Sequence, residues 1–287
     1  MKKHLLMVIL LGLVASPFAY PCPIAFAGGI SVDAGLTPPE GRWILRAQVR
    51  SMSRQDRDSI SDMNMERLMV PFVVVHGATP ALTLGLRQSL DFRTMTMNGT
   101  EKKASGFADL YIFAKYKVFR INTRSYTIGI SPLLGVDIPT GSKEVSNHSW
   151  NLKVGLSASG RSGKWALDLN LGYGLRGFAG VAETEPEPGN DLGLNLAFAR
   201  QFPVGSSGNV SLAPVLEITW FGSSPDKSDG VEMLNSGETI FSLAPGLKYT
   251  VDDLIIEGLV RFPVTQDQKG MQLEAGAMFL LGVRRMF

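Results

Sequence analysis

Cysteine is almost absent from this chain, with one residue in 287. A single thiol excludes a disulfide framework and a thiolate metal cluster. Histidine is scarce as well, and beyond the first few residues only His76 and His148 remain, too few to form a metal centre of their own. Charge of one sign is lacking: 28 basic residues face 26 acidic ones, for a net +2. Nucleic-acid binders carry clustered, strongly basic surfaces, so no nucleic-acid partner is expected. Charged residues make up only 19% and apolar residues 45%, which excludes general disorder. Long hydrophobic runs are missing too. No segment reaches the ~18 consecutive apolar residues a membrane-spanning helix needs. Leu68–Val75 is among the longest and is interrupted by Pro71.

The first 27 residues read as an export signal rather than as fold. Met1–His4 is a basic start, Leu5–Ala15 an apolar stretch too short to span, and Ala25-Phe26-Ala27 a small-x-small cleavage site. Cys22 precedes that site and would leave with the leader. The rival, lipoprotein cleavage at Cys22, is disfavoured because Ala19-Tyr20-Pro21 lack the usual Leu-small-small pattern. The expected organisation is therefore a signal peptide over 1–27, a short periplasmic segment over 28–41 and one domain over 42–287. The short segment is too small for a plug domain but long enough to occlude a lumen from the periplasmic side.

What is present is two-residue periodicity. Along Trp165–Arg176, Trp165, Leu167, Leu169, Leu171, Tyr173 and Leu175 alternate with Ala166, Asp168, Asn170, Gly172, Gly174 and Arg176. A strand sends successive side chains to opposite faces, so one face is apolar and the other polar or small. The same alternation runs through Trp150–Ala158, Leu192–Phe198, Val210–Trp220 and Leu273–Phe287, where Leu273, Ala275, Ala277 and Phe279 share the apolar parity. Twelve strands are expected, near 42–50, 67–76, 81–92, 106–118, 125–138, 149–158, 165–177, 191–201, 210–221, 238–250, 254–263 and 271–287. The connections alternate between short (77–80, 119–124, 159–164, 202–209, 251–253) and long and polar (51–66, 93–105, 139–148, 178–190, 222–237, 264–270).

Short turns at one end and long loops at the other are the habit of outer-membrane barrels. Lipid cannot satisfy an unpaired backbone group, so a sheet in a membrane must close on itself. About 11 residues per strand at ~3.3 Å, tilted ~40°, give roughly 28 Å, enough for the ~25 Å apolar band of such proteins. The expected fold is all-β, a transmembrane antiparallel up-and-down β-barrel of about twelve strands in the cell outer membrane. The alternatives are a structural or adhesive barrel with a closed lumen, and a soluble exported β-sandwich. Trp43, Trp150, Trp165, Trp220, Phe221, Tyr249 and Phe262 fall near strand ends, where interfacial girdles would use them. Phe287 ends an alternating last strand, the signal by which barrel-assembly machinery is expected to engage the chain; Arg285 breaks the apolar parity beside it.

On the inward parity the expected residues are Arg87, Asp109, Lys115, Asp137, Lys153, Asp168, Asn170, Arg176, Glu217, Lys248, Glu257, Arg261 and Glu274. On the lipid side an Arg or Lys at midplane would cost about 2–4 kcal/mol. These groups line a solute path or form a salt-bridged filling that stabilises the wall. Their mixed sign argues against strong ion selectivity, which needs a ring of one sign. The acidic, proline-bearing run 182–190 reads as a solvated loop.

Catalysis finds little support. His148-Ser149 invites comparison with outer-membrane phospholipases, but neighbouring loop residues cannot readily activate one another as a Ser–His relay requires. Gly172-x-Gly174 lies inside a strand with no helix after it, so it is not a phosphate loop. Neither an enzymatic activity nor a cofactor nor a metal is expected.

Several blocks resemble a known family. Gly106-Phe107-Ala108-Asp109-Leu110 followed by Lys115-Tyr116 is similar to the GFGDL…KY block of the outer-membrane family named for the meta-pathway of phenol degradation, with Ala108 in place of the commoner Gly. Ser131–Gly141 resembles its P…G…PTG block, and Asn170–Tyr173, Leu243–Tyr249 and Arg261–Val264 resemble its later blocks. The resemblance implies a barrel for passive uptake of small solutes, aromatic or hydrophobic ones among them. It carries over no substrate-site residues.

Overall fold

The computed structural model describes residues 29–56, 63–146, 148–179, 186–205 and 209–287. The expected leader, Cys22 and positions 182–185 of the acidic run lie outside these residues. Seventeen strands are formed: β1 (Trp43–Gln55), β2 (Asn64–Gly77), β3 (Leu82–Met97), β4 (Thr100–Phe107), β5 (Leu110–Tyr116), β6 (Phe119–Asn122), β7 (Tyr126–Ile138), β8 (Trp150–Ser162), β9 (Trp165–Ala179), β10 (Asp191–Arg200), β11 (Phe202–Val204), β12 (Val210–Ser223), β13 (Lys227–Ser228), β14 (Val231–Glu232), β15 (Glu238–Val251), β16 (Leu254–Gln268) and β17 (Glu274–Met286).

All pairings are antiparallel between chain neighbours, and β1 pairs with β17 to close the ring. Strands β4, β5 and β6 are pieces of one wall strand, because β4 and β5 both pair with β3 while β5 and β6 both pair with β7. Strands β10 and β11 likewise form one, both pairing with β12. Counted this way the wall has twelve strands, as expected. The small β13–β14 hairpin belongs to the connection between β12 and β15.

Burial is inverted relative to a soluble protein. Leu84, Leu134, Leu156, Leu169, Leu171, Leu194, Leu247, Ile256 and Leu281 are exposed on the outer face, whereas Asp91, Asp168, Glu217, Lys248 and Glu257 are buried inside. Hydrocarbon solvates the first set and would not solvate the second. Trp43, Trp165 and Tyr249 ring the end that carries the termini, and Trp150, Trp220 and Phe262 lie toward the far end. Trp43 stacks on His76 with ring centroids 4.1 Å apart, and Trp165 on Phe198 at 4.9 Å. Phe221 shares the parity of Glu217 and Thr219, so it faces inward and is not part of a girdle. Arg285 keeps the outer parity, lying 3.5 Å from Asp253 in the β15–β16 turn and against the Phe287 ring, which keeps its charge at the terminal rim.

Two expectations are corrected. Residues 93–105 are not a polar loop: β3 and β4 run on to Met97↔Thr100. Asn98 and Gly99 turn the chain with φ of 50° and 77°, the left-handed pair of a two-residue hairpin. The second correction concerns β17. Met52 pairs with Met278 but Arg54 with Ala275, so a bulge at Gly276–Ala277 flips the parity. Leu273 and Ala275 therefore do not share the face of Phe279. Glu274, opposite Gln55 at the far rim, falls out of the inward set.

Candidate functional site

Alternation carries the polar parity into the lumen. Arg87, Lys115, Asp137, Lys153, Asp168, Asn170, Arg176, Glu217, Lys248, Glu257 and Arg261 all stand on the inner face. Asp109 does not: it occupies the break between β4 and β5. There its Oδ1 accepts from Gly141 N at 2.9 Å and Ser146 Oγ at 2.6 Å, which fastens the β7–β8 connection to the wall. His148 and Ser149 form no relay, since His148 Nε2 lies 3.1 Å from the Lys143 carbonyl oxygen.

The lumen is not empty. Residues 29–37 run inside it from the terminal end, and wall side chains bind their backbone. Asp168 Oδ2 accepts from Gly29 N at 2.7 Å, and Glu217 Oε1 from Ile30 N at 2.5 Å and Ser31 N at 2.8 Å. Ser31 Oγ donates to Glu217 Oε2, and Arg261 Nη2 donates to Ser31 Oγ at 2.6 Å. The Ile30 carbonyl accepts from Arg46, and the Ala34 carbonyl from Lys115 Nζ at 2.9 Å. Gly35 N donates to Ser159 Oγ, and Ser131 Oγ to Gly35 O, both at 2.7 Å. The Ile30 side chain is fully buried in an apolar socket of Ala166, Ala199, Val215, Ala244, Leu259, Met278 and Leu280. A strand-free segment inside a barrel has no ladder to satisfy its amides, so charged and hydroxyl side chains of the wall do so instead.

The acids that hold the segment are themselves held. Asp168 Oδ1 accepts from Arg161 at 2.7 Å and Ser159 at 2.5 Å. Glu257 accepts from Arg46, Gln48 and Arg284 at 2.8, 2.9 and 2.9 Å. Beyond the segment, toward the far end, the carboxylates are outnumbered. Asp91 serves both Arg67 and Arg93, at 2.5 and 2.8 Å. Asp137 lies 2.9 Å from Lys153 and 3.9 Å from Arg87, whose cations both lie over the Tyr111 ring.

Sequence reasoning missed Arg46, Gln48, Arg50 and Arg161, and left Arg284 out of the inward set although it shares the polar parity of the last strand. The first three alternate along β1, so the parity argument applied elsewhere would have found them. Nothing in the alternation shows that residues 29–37 bind the wall, because that segment has no periodicity.

Gly35 is pressed against the wall. A Cβ there would meet Ser157 O at 2.6 Å, Ala158 Cα at 2.7 Å and Gly129 O at 2.7 Å, all of them backbone. Gly35→Val should therefore unseat this part of the segment while leaving the wall intact. The expected result is a urea midpoint lowered by the equivalent of about 1–3 kcal/mol, with an unchanged β-sheet circular dichroism spectrum.

A family model described as "Putative MetA-pathway of phenol degradation" matches residues 64–279. No curated protein matches. The COG4313 outer membrane channel from Pseudomonas putida F1 superposes with a TM-score of 0.68 at 15% identity, over 91% of this chain and 100% of that one. The β domain of the Bordetella autotransporter BrkA superposes with a TM-score of 0.51 at 12% identity, over 87% of this chain and 100% of that one. At such identities the likeness is one of fold.

Proposed function

The chain belongs to the family of the MetA-pathway of phenol degradation, and on that premise we propose that it is an outer-membrane channel for passive diffusion of small solutes, aromatic or hydrophobic ones among them. In this reading residues 1–27 direct export, the terminal end faces the periplasm, and Phe287 engages the barrel-assembly machinery. The inner-face residues from Arg87 to Arg261 line the solute path. Solute moves down its own gradient, so neither cofactor nor catalytic group is required.

The observation that carries this reading is the seating of residues 29–37. Among the described residues the segment joins the wall covalently only through Arg42 and β1, and is otherwise held by side-chain hydrogen bonds and by the buried Ile30 and Val32. Contacts of that kind can release without breaking any ladder of the barrel, so occlusion is reversible while the wall stays closed.

Swelling of proteoliposomes loaded with the full chain tests it. Uptake of benzyl alcohol and of small sugars is compared with protein-free vesicles and with Glu217→Gln. Faster swelling with protein, and faster still with the variant, is expected. Vesicles silent with both proteins would overturn the proposal and favour a structural barrel with a closed lumen.

A further inference from the structure

On the inner face beside and beyond the N-terminal segment, cations outnumber the carboxylates they face. Arg261 on β16, Arg50 on β1, Arg87 on β3, Lys153 on β8 and Arg176 on β9 follow one another around part of the wall. Arg87 and Lys153 converge on one ring, their cations 4.7 and 4.9 Å from the Tyr111 centroid, and Arg50, besides being buried, has Arg46, Arg87 and Arg261 as cationic neighbours and Glu257 as an acidic one. Arg87 and Arg176 bear on Lys153, against Asp137.

The acids nearby are already engaged. Glu217 is 3.9 Å from Arg261, and its oxygens take the amides of Ile30 and Ser31. Glu257 is held by Arg46, Gln48 and Arg284. Asp137 is shared by Lys153 and Arg87. Asp191 pairs with Arg176 at 2.5 Å. Each of these carboxylates therefore already answers to another partner.

Donors are left over. Arg50 gives Nε and Nη2 to Gln48 Oε1, at 3.1 and 2.7 Å, and its Nη1 has no partner among the described residues. Arg87 donates no hydrogen bond among them; it lies over Tyr111 at 4.7 Å. Arg261 Nε is buried without a hydrogen-bond partner. Like charges gathered in a narrow, partly desolvated lumen repel one another, and a bound anion relieves that repulsion. Guanidinium forks match the two oxygens of a carboxylate.

We propose that Arg50, Arg87, Arg261 and Lys153 form a binding site in the lumen for a small organic carboxylate. The site rests on the channel reading for its biological use but not for its existence. It would give the lumen a local preference for anions within a wall whose mixed charge argues against strong ion selectivity.

Calorimetric titration of the full chain in an uncharged detergent tests the site, with sodium benzoate as ligand and benzyl alcohol as its neutral counterpart. Benzoate should bind at least tenfold more tightly than benzyl alcohol. Raising NaCl from about 50 to 500 mM should weaken benzoate several-fold, since screening falls on the charged ligand alone. Arg50→Gln and Arg87→Gln should each weaken benzoate at least tenfold and leave benzyl alcohol unchanged. If either variant fails to show the heat-modifiable migration of a folded barrel, Lys153→Gln, on a side chain 29% exposed, supplies the same comparison. Benzoate binding no better than benzyl alcohol, or binding equally in the variants, would overturn the site. Binding in detergent needs no transport: benzoate bound while vesicles stay silent sinks the channel and spares the site, and swelling without benzoate binding does the reverse.

Discussion

Leu169→Arg should stop this barrel from assembling, whereas Asn170→Arg, one residue away, should be tolerated. Leu169 lies on the outer face of β9 between Leu167 and Leu171, 42% exposed, and its ladder partners are Ala158 and Leu196. Trp165 marks the interface at the start of the strand, which puts Leu169 well inside the apolar band. A guanidinium there costs about 2–4 kcal/mol relative to the native side chain. Native stabilities are only about 5–15 kcal/mol, and insertion competes with aggregation, so most of the folded yield should be lost. Asn170 faces the lumen and donates to Ser157 Oγ at 2.9 Å. An arginine in its place meets water and polar neighbours. The readout is the folded fraction on unboiled gels after refolding into lipid vesicles. Equal yields from the two variants would mean that the parity assignment is wrong.

The second large effect is expected from Glu217→Gln. One carboxylate accepts from Ile30 N, Ser31 N and Ser31 Oγ, so it is the single group on which the segment depends most. The amide keeps the shape, but it loses the charge and turns one acceptor into a donor aimed at other donors. Hydrogen bonds to charged groups are worth about 1.5–3 kcal/mol each, against about 1 for neutral ones. A net loss of only ~2 kcal/mol would raise the population of the displaced segment about 30-fold. Swelling rates should rise by an order of magnitude, and the bonds from residues 29–37 should become cleavable by added protease while the barrel core resists. An unchanged rate together with an unchanged cleavage pattern would show that the segment is not the barrier.

Much of this architecture could be read from residues alone, and the reason is geometric. A strand has a period of two, and a closed sheet in lipid must turn one parity outward, so Trp165–Arg176 already declares which side is which. The number of wall strands follows from the turn residues between such runs. Where reading failed, a local feature with no signal in the alternation intervened. The bulge at Gly276–Ala277 reversed the faces of β17 and removed Glu274 from the inner set. The break at Ala108-Asp109 took Asp109 out of the wall and gave it a loop to hold. The Asn98-Gly99 pair was a legible hairpin signal, but it was hidden within a polar stretch that looked like a loop.

Sequence by itself determined the fold class and the inward and outward sets of most strands. All of these depend on residue type and spacing along one chain. The tertiary structure alone decided what the inward residues do. Asp168, Glu217 and Glu257 lie far apart in sequence. Only ring closure brings the first two onto the backbone of Gly29, Ile30 and Ser31, and the third between Arg46 and Arg284. Charge balance along the chain is a sum, whereas the field inside a barrel depends on which charges have already found partners.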